Sequence, residues 1–448
     1  MAESSSSGNI STRLQRVAEL AREMPQQALT TLAHHIDIDF LREAYRKTRK
    51  DGAVGTDGQT AEAYEANLQV NLEALLARFK SRRYRAPAVR RVHIPKGDGT
   101  KTRPIGIPTF EDKVLQRAVA MVLGAVYEQD FLDCSYGFRP GRSAHQALER
   151  LWKGLMDMRG GWVIDLDLAS FFATLGRRHL RQFLDQRVRD GVIRKVIDKW
   201  LAAGVMSGGH VSRSTTGTPQ GGVISPLLAN IYLHEVLDVW FEHDVTPRMQ
   251  GAAFLVRYAD DAVLVFANRR DAERVLDVLP KRLGKYGLTL HAEKTRLVPF
   301  GRPRMRPGER GNHGPRSGTF NFLGFTHYWG ATRKGSWMVK RKTEAGRFRR
   351  AVRAVNVWCR YNLHVGVPVH HRMLSAILRG HFGYYGIAGN CFAIGAFRQR
   401  VQRIWRYWLA RRSQKAKMTW VRFDRLLQRY PLPPARIVHS IYTSAASP

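Results

Sequence analysis

The chain carries 73 Lys and Arg against 37 Asp and Glu over 448 residues, a formal charge of +36, and self-repulsion on that scale calls for a polyanionic partner. Nucleic acid is the expected partner and a membrane surface the alternative. No run of 18 apolar residues predicts a transmembrane helix, and the Ser-rich start does not read as a signal peptide. Cys134, Cys359 and Cys391 have no paired spacing, which argues against a disulfide framework or zinc site and fits a reducing cytoplasm.

Residues 1–30 read as a Ser-rich, then weakly helical, lead-in. Asp39–Asp51 predicts a helix stopping at Gly52, and residues 60–80 an amphipathic helix, with Leu68, Leu72, Leu75, Leu76 and Phe79 at helical spacing. Val89–Lys96 is strand-like, Gly97-Asp98-Gly99 is a tight turn, and Thr102–Pro108 returns, giving a basic hairpin. A helix over 110–131, a buried strand over 162–168 and helices over 177–204 and 225–243 follow. After a hairpin around Asp260 come a helix near 270–286, a Gly/Pro/Arg-rich loop at 301–317 and a strand over 320–329. Helices are predicted over 340–362, 369–386 and 391–412. This order predicts an α+β fold with helices on one face of a sheet. From Arg333 onward 24 Lys or Arg stand against two acids, Glu344 and Asp424, so a moderately charged body precedes an intensely basic tail.

Two clusters of acids interrupt apolar runs. Tyr258-Ala259-Asp260-Asp261 sits between Ala253–Val256 and Ala262–Phe266, which predicts strand, a two-residue Asp-Asp turn, and strand. Val163-Ile164-Asp165-Leu166-Asp167-Leu168 puts Asp165 and Asp167 on one strand face. One reading is an edge strand with a solvated face. The other joins one of these acids to Asp260 and Asp261 as a three-carboxylate site sharing two Mg²⁺ ions, the arrangement in-line nucleotidyl transfer requires. Thr216–Asn230 is a Gly-rich loop running into a helix, where backbone can approach a ligand and a helix N-terminus favours anions.

The ordered motifs resemble those of group II intron-encoded reverse transcriptases with a maturase domain. They are Lys96 with Arg103–Pro108, Ser135-Tyr-Gly-Phe-Arg139 through Ser143, Asp167-Leu-Ala-Ser-Phe-Phe172, Thr218–Pro226, Tyr258-Ala-Asp-Asp261, Glu293-Lys294-Thr295 and Asn321–Phe325. Gly380–Gly386 in the tail resembles the thumb and maturase region. The resemblance implies a right-hand polymerase: an N-terminal extension at 1–38, fingers and palm with an antiparallel sheet over 39–330, and an α-helical thumb/maturase domain over 331–448. It implies catalytic and metal-binding roles for Asp167, Asp260 and Asp261, with two Mg²⁺ ions or Mn²⁺ as a substitute. Lys96, Arg103, Phe172, Gln220 and Lys294 would contact the nucleotide, Phe172 as the ring excluding a 2′-hydroxyl, and Phe322, Leu323 and Gly324 would form the primer grip.

The family continues past the paired phenylalanines with acids where this chain has Ala173 and Gly176. In the tail, Phe397, Val401, Ile404 and Trp408 predict an apolar helix face, with Arg398, Arg403 and Arg406 off it as RNA-binding residues. The tail shows no Cys pairs, so no nuclease domain is expected. The implied function is RNA-directed DNA synthesis on structured RNA, with group II intron RNA, a DNA primer and dNTPs as partners, no membrane and a cytoplasmic, bacterial-type setting. Two alternatives stand: a splicing maturase that binds RNA with weak or lost polymerisation, and a domesticated reverse transcriptase in defence or repair.

Overall fold

The basic hairpin and the acid-bearing strands recur as sheets in the computed structural model, which describes residues 2–96, 101–207, 210–212, 221–303, 317–413 and 418–440. In chain order the strands are β1 (Val89–Lys96), β2 (Lys101–Ile107), β3 (Trp162–Leu166), β4 (Val205–Ser207), β5 (His210–Ser212) and β6 (Ala253–Tyr258). They continue with β7 (Asp261–Phe266), β8 (Arg296–Pro299), β9 (Phe320–Phe322), β10 (Phe325–Ala331) and β11 (Trp337–Thr343). Three sheets result, ordered β2-β1-β4-β5, β6-β7-β3-β8 and β11-β10-β9. The chain divides into two compact units, residues 1–147 with 166–297, and residues 148–165 with 298–448. Leu166, the last residue of β3, and Asp167 after it fall in the first unit with β6 and β7.

The core of the first unit is built on the Phe110–Tyr127 helix, which starts where Thr109 accepts the backbone N–H of Asp112. Val114, Leu115, Ala118, Val119, Val122, Leu123 and Val126 of this helix are all buried, the apolar spacing of an element packed on several sides. In the second unit the helices Ala345–Tyr361, Val367–Tyr385 and Cys391–Leu409 close on one cluster that includes Cys359, Leu374, Leu378, Phe397, Val401 and Trp405.

Several expected elements are divided by side-chain chemistry that periodicity does not register. The 60–80 helix is two, Ala61–Glu65 and Leu68–Lys80, the first capped by Thr60. The 177–204 helix breaks into Arg177–Arg187 and Gly191–Ala202 because Asp190 turns its carboxylate to four backbone donors, Leu32, Ala33, Val192 and Ile193. The 225–243 helix is α-helical only to Leu233 and continues as π-helical turns over His234–Asp238 and Trp240–Val245. The 320–329 strand is interrupted at Leu323 and Gly324, with φ of 50° and 77°, so β9 and β10 pair back to back. Helix 340–362 begins only at Ala345. Residues 337–343 form β11 instead, burying Val339, Arg341 and Thr343 on alternate positions and pairing along the whole of β10.

Asp112, on the Phe110–Tyr127 helix, is only 1% exposed. It accepts Tyr84 Oη and Trp200 Nε1 on one oxygen and Gln116 Nε2 on the other, and Gln116 Oε1 in turn accepts the backbone N–H of Ile224. Burial raises its pKa to about 6, against the opposing hydrogen bonds. A carboxyl whose folded pKa lies above its unfolded one stabilises fully below the unfolded value and loses that stabilisation as pH rises through about 6. Asp112→Asn should therefore flatten the Tm-versus-pH curve between pH 4 and 6, removing a slope of at most about 1.4 kcal/mol per pH unit; thermal melts in that window check it.

Candidate active site

The hairpin of β6 and β7 is closed by Ala259 and Asp260, because Tyr258 pairs with Asp261 in the register. The turn therefore lies one residue earlier than the expected Asp-Asp turn, and Asp261 is the first residue of β7. Ala259 has a φ of 57°, a left-handed conformation suited to the first position of a tight hairpin but costing an alanine about 1–2 kcal/mol. Both strands are anchored by buried residues, Leu255 and Val256 on β6 and Ala262 to Phe266 on β7.

What holds the turn in this conformation is Arg257, which is fully buried. Its guanidinium forms an ion pair with the equally buried Asp238. It also donates to Asn230 Oδ1 at 3.0 Å, to Ser135 Oγ at 2.7 Å and to the Ala259 carbonyl at 2.9 Å. Burial lowers the basicity of Arg257, but the Asp238 charge and hydrogen bonds outweigh it and the net shift is upward. An ion pair so enclosed must have every donor matched to repay its desolvation, and here two side-chain oxygens and a turn carbonyl complete the set. Asp238 ends the first π-helical turn, a local irregularity of the type that re-aims side chains near functional sites.

A second layer comes from residues 135–139. Tyr136 N–H donates to Arg257 O at 2.9 Å and Arg257 N–H to Cys134 O at 2.7 Å. Asn230 Nδ2 donates to Gly137 O at 2.7 Å. The Gly137 backbone lies so close to the turn that a Cβ there would overlap the backbone nitrogen of Ala259. Arg139, buried against Glu128 at 3.0 Å, also donates to the carbonyls of Leu132 and Ser135, both at 2.8 Å.

Asp167 follows β3, the neighbour of β7 in the sheet. Its carbonyl accepts His291 N–H at 2.9 Å and Thr295 Oγ1 at 3.3 Å, fixing the backbone. Its carboxylate is paired with Lys294 Nζ at 3.1 Å. Asp260 and Asp261 are half-buried. Among the described residues no three His, Cys, Asp or Glu side chains are drawn together closely enough to hold a metal ion. The donor chemistry nonetheless fits a hard dication, which prefers carboxylate oxygens.

The scan against family models matches residues 94–327, just over half of the chain, to the reverse transcriptase (RNA-dependent DNA polymerase) family. The chain belongs to the reverse transcriptase family. It is 35% identical to protein YkfC of Escherichia coli (strain K12) over 298 residues, 58% of this chain and 76% of that one. It is 33% identical to the group II intron-encoded protein LtrA of Lactococcus lactis subsp. cremoris over 226 residues, half of this chain but 37% of LtrA. A mitochondrial nuclear intron maturase 3 of Arabidopsis thaliana is 26% identical over 205 residues, 40% of this chain and 28% of that one. The resemblance to group II intron reverse transcriptases and maturases is thus borne out, as is the right-hand polymerase class with mixed helices and antiparallel sheets. Reverse transcriptases copy an RNA template, use divalent metal ions and are enzymes of DNA synthesis. No helix among the described residues is long and apolar enough to cross a membrane.

The other sequence-derived positions of this reverse transcriptase sort as follows. Ile94 pairs with Arg103 and Lys96 with Lys101, so positions 96 and 103 share a face of the hairpin, and Arg103 is exposed. Phe172 is half-buried, edge-on to Phe171 at 5.2 Å. Gln220 lies outside the described residues, but Gly221 just after it, at φ 120°, has no room for a Cβ beside Gly106 O and Ile105. Leu323 and Gly324 form the turn between β9 and β10, where Tyr384 Oη donates to Leu323 O at 2.8 Å. Arg398 donates to the carbonyls of Pro433 and Leu432, and Arg406 to that of Met418 while lying 4.1 Å over Trp420, whereas Arg403 is exposed. The buried face of their helix is Ile394, Phe397, Val401, Trp405 and Leu409, with Ile404 and Trp408 half-buried beside it.

Ala173 is exposed, and Gly176 is the N-cap of the Arg177–Arg187 helix with no side chain to cap it. An acid at 176 would accept N–H groups of that first turn, and glycine in its place costs the helix only about a few tenths of a kcal/mol. Sequence reasoning missed Arg257, Asp238, Asn230 and Gly137. The available signal was a lone charge, Arg257, inside an apolar strand, which cannot be buried unpaired.

Gly137→Ala should lower the turnover of primer extension by roughly tenfold to a hundredfold, as displacement of reacting groups does, with the far-ultraviolet spectrum and RNA affinity unchanged. Turnover and filter-binding measurements on the same preparation check it.

Proposed function

We propose that the chain copies structured RNA into cDNA from a DNA primer by two-metal nucleotidyl transfer at Asp167, Asp260 and Asp261, and assists group II intron splicing and mobility. The observation that carries this reading is the Ala259–Asp260 turn locked by Arg257, with Asp167 fixed in the same unit by His291 and Thr295. Two Mg²⁺ ions, when bound, promote ionisation of the primer 3′-hydroxyl and offset charge on the transferred phosphoryl group. The three carboxylates hold and space them. Lys294, paired with Asp167 here, would face the phosphates of the incoming dNTP when the carboxylates hold the ions. Lys96, Arg103 and Gln220 grip that nucleotide, and the Phe172 ring fills the space a 2′-hydroxyl would need. Phe322, Leu323 and Gly324 seat the primer.

RNA is held by the basic segment 331–448. Arg398 and Arg406 are engaged with carbonyls of the chain, so the exposed Arg400, Arg403 and Arg411 on one side of the Cys391–Leu409 helix and its end are the better phosphate contacts. Arg411 also stacks on exposed Tyr407 at 3.5 Å. A second reading, a splicing cofactor without polymerisation, draws on Ala173 and Gly176.

Asp260→Asn decides between the two readings. It should reduce primer extension by about a hundredfold or more through loss of one charged ligand and leave RNA affinity unaltered. Extension within tenfold of the parent sinks the triad, and a parent protein that binds intron RNA but never extends a primer favours the cofactor.

Replacing Arg400, Arg403 and Arg411 together by Gln should make the log–log salt slope of single-stranded RNA binding shallower by about 2, at about 0.7 per phosphate contact. Arg398→Gln should instead lower Tm and leave that slope unchanged. Binding titrations across a salt series check both.

A further inference from the structure

Phe138 combines three properties that a structural residue would not need. Its φ is 58°, a left-handed conformation that is a genuine outlier for a bulky side chain. It is 63% exposed, so its ring adds little to the core. It is also held firmly, since Gly137 on one side abuts Ala259 and Arg139 on the other is locked by Glu128 and three backbone carbonyls. Strain maintained by a rigid frame at the edge of a site points to a use for the side chain it presents. The Phe138 ring lies 6.3 Å from that of Tyr258, tilted 44°, and Tyr258 is the cross-strand partner of Asp261. The two rings thus make an aromatic step beside the catalytic turn.

We infer that Phe138 is a substrate-positioning residue whose ring stacks on a nucleobase at the growing end of the primer–template duplex. The inference rests on the reading of Asp260 and Asp261 as the reaction centre. An aromatic face is sequence-tolerant because every base offers a π-face, as a polymerase copying many sequences requires. The left-handed backbone projects the ring out of the loop, where an ordinary conformation would let it fold back.

The experiment is primer extension on an RNA template by Phe138→Gly, Phe138→Ala and Phe138→Trp, with thermal melts of each. Glycine relieves the backbone strain, so Tm should rise by about 2 °C while kcat/KM for primer–template falls by about tenfold, the loss expected for one base–aromatic stack. Phe138→Trp should restore kcat/KM to within about twofold of the parent. An abasic site at the primer terminus or at the template position opposite it should make the parent and Phe138→Ala extend alike when it lies in the strand the ring stacks on, and whichever does so identifies the strand. The proposal is overturned if the Gly and Ala variants extend like the parent, if Phe138→Gly loses Tm along with activity, or if neither abasic substrate closes the gap. Asp260→Asn run alongside separates the outcomes: if it retains extension the reaction centre is misplaced, whereas a silent Phe138 with an inactive Asp260→Asn removes only the aromatic step.

Discussion

The buried pair of Arg257 and Asp238 is the constraint on which the Ala259–Asp260 turn depends. A tight hairpin tip carrying two carboxylates is unfavourable three times over: the charges repel, Ala259 is left-handed, and the turn carbonyl points inward. Arg257 answers each point with one group. Its charge interacts with that of Asp260, one donor takes the carbonyl, and its remaining donors tie the strand to Asn230, Ser135 and Asp238. Removing one partner from such a pair would strand the other in a medium where an unmatched ion is worth several kcal/mol.

The same network joins segments far apart in sequence. Ser135 and Gly137 belong to a loop, Asn230 to an α-helix, Asp238 to a π-turn and Arg257 to a strand, yet all converge on Ala259. Ser135, Gly137 and Asn230 bring no charge of their own to this network. They shape the backbone around the turn. Close packing of this kind makes the position of the acids at its tip stiff.

Much of this was legible beforehand, and what was not has physical reasons. Apolar runs flanking Asp260 announced one hairpin, and the strand-like Val89–Lys96 and Thr102–Pro108 announced the pairing of β1 with β2, while the Gly97-Asp98-Gly99 turn lies outside the described residues. The break at Asp190 was hidden because an aspartate in a helical window looks like a solvated residue until its four backbone donors are in place. Residues 340–343 were expected to open a helix, yet pairing of 337–343 along β10 overrode that preference. Arg398 and Arg406 looked like phosphate ligands because sequence shows a guanidinium but not the carbonyl it already serves.

The division of the chain also bears on how it is made. The second unit is assembled from residues 148–165 and residues 298–448, with Trp152 donating to the Val339 carbonyl and Arg341 to that of Leu148. During synthesis the earlier segment leaves the ribosome well over a hundred residues before its partners exist. Its apolar face, Leu148, Leu151 and Leu155 among it, has no native cover in that interval, so folding of the second unit waits on the last part of the chain. Long-range closure of this kind is slow and leaves sticky intermediates. A separately produced fragment starting at residue 298 would lack a piece of its own interior.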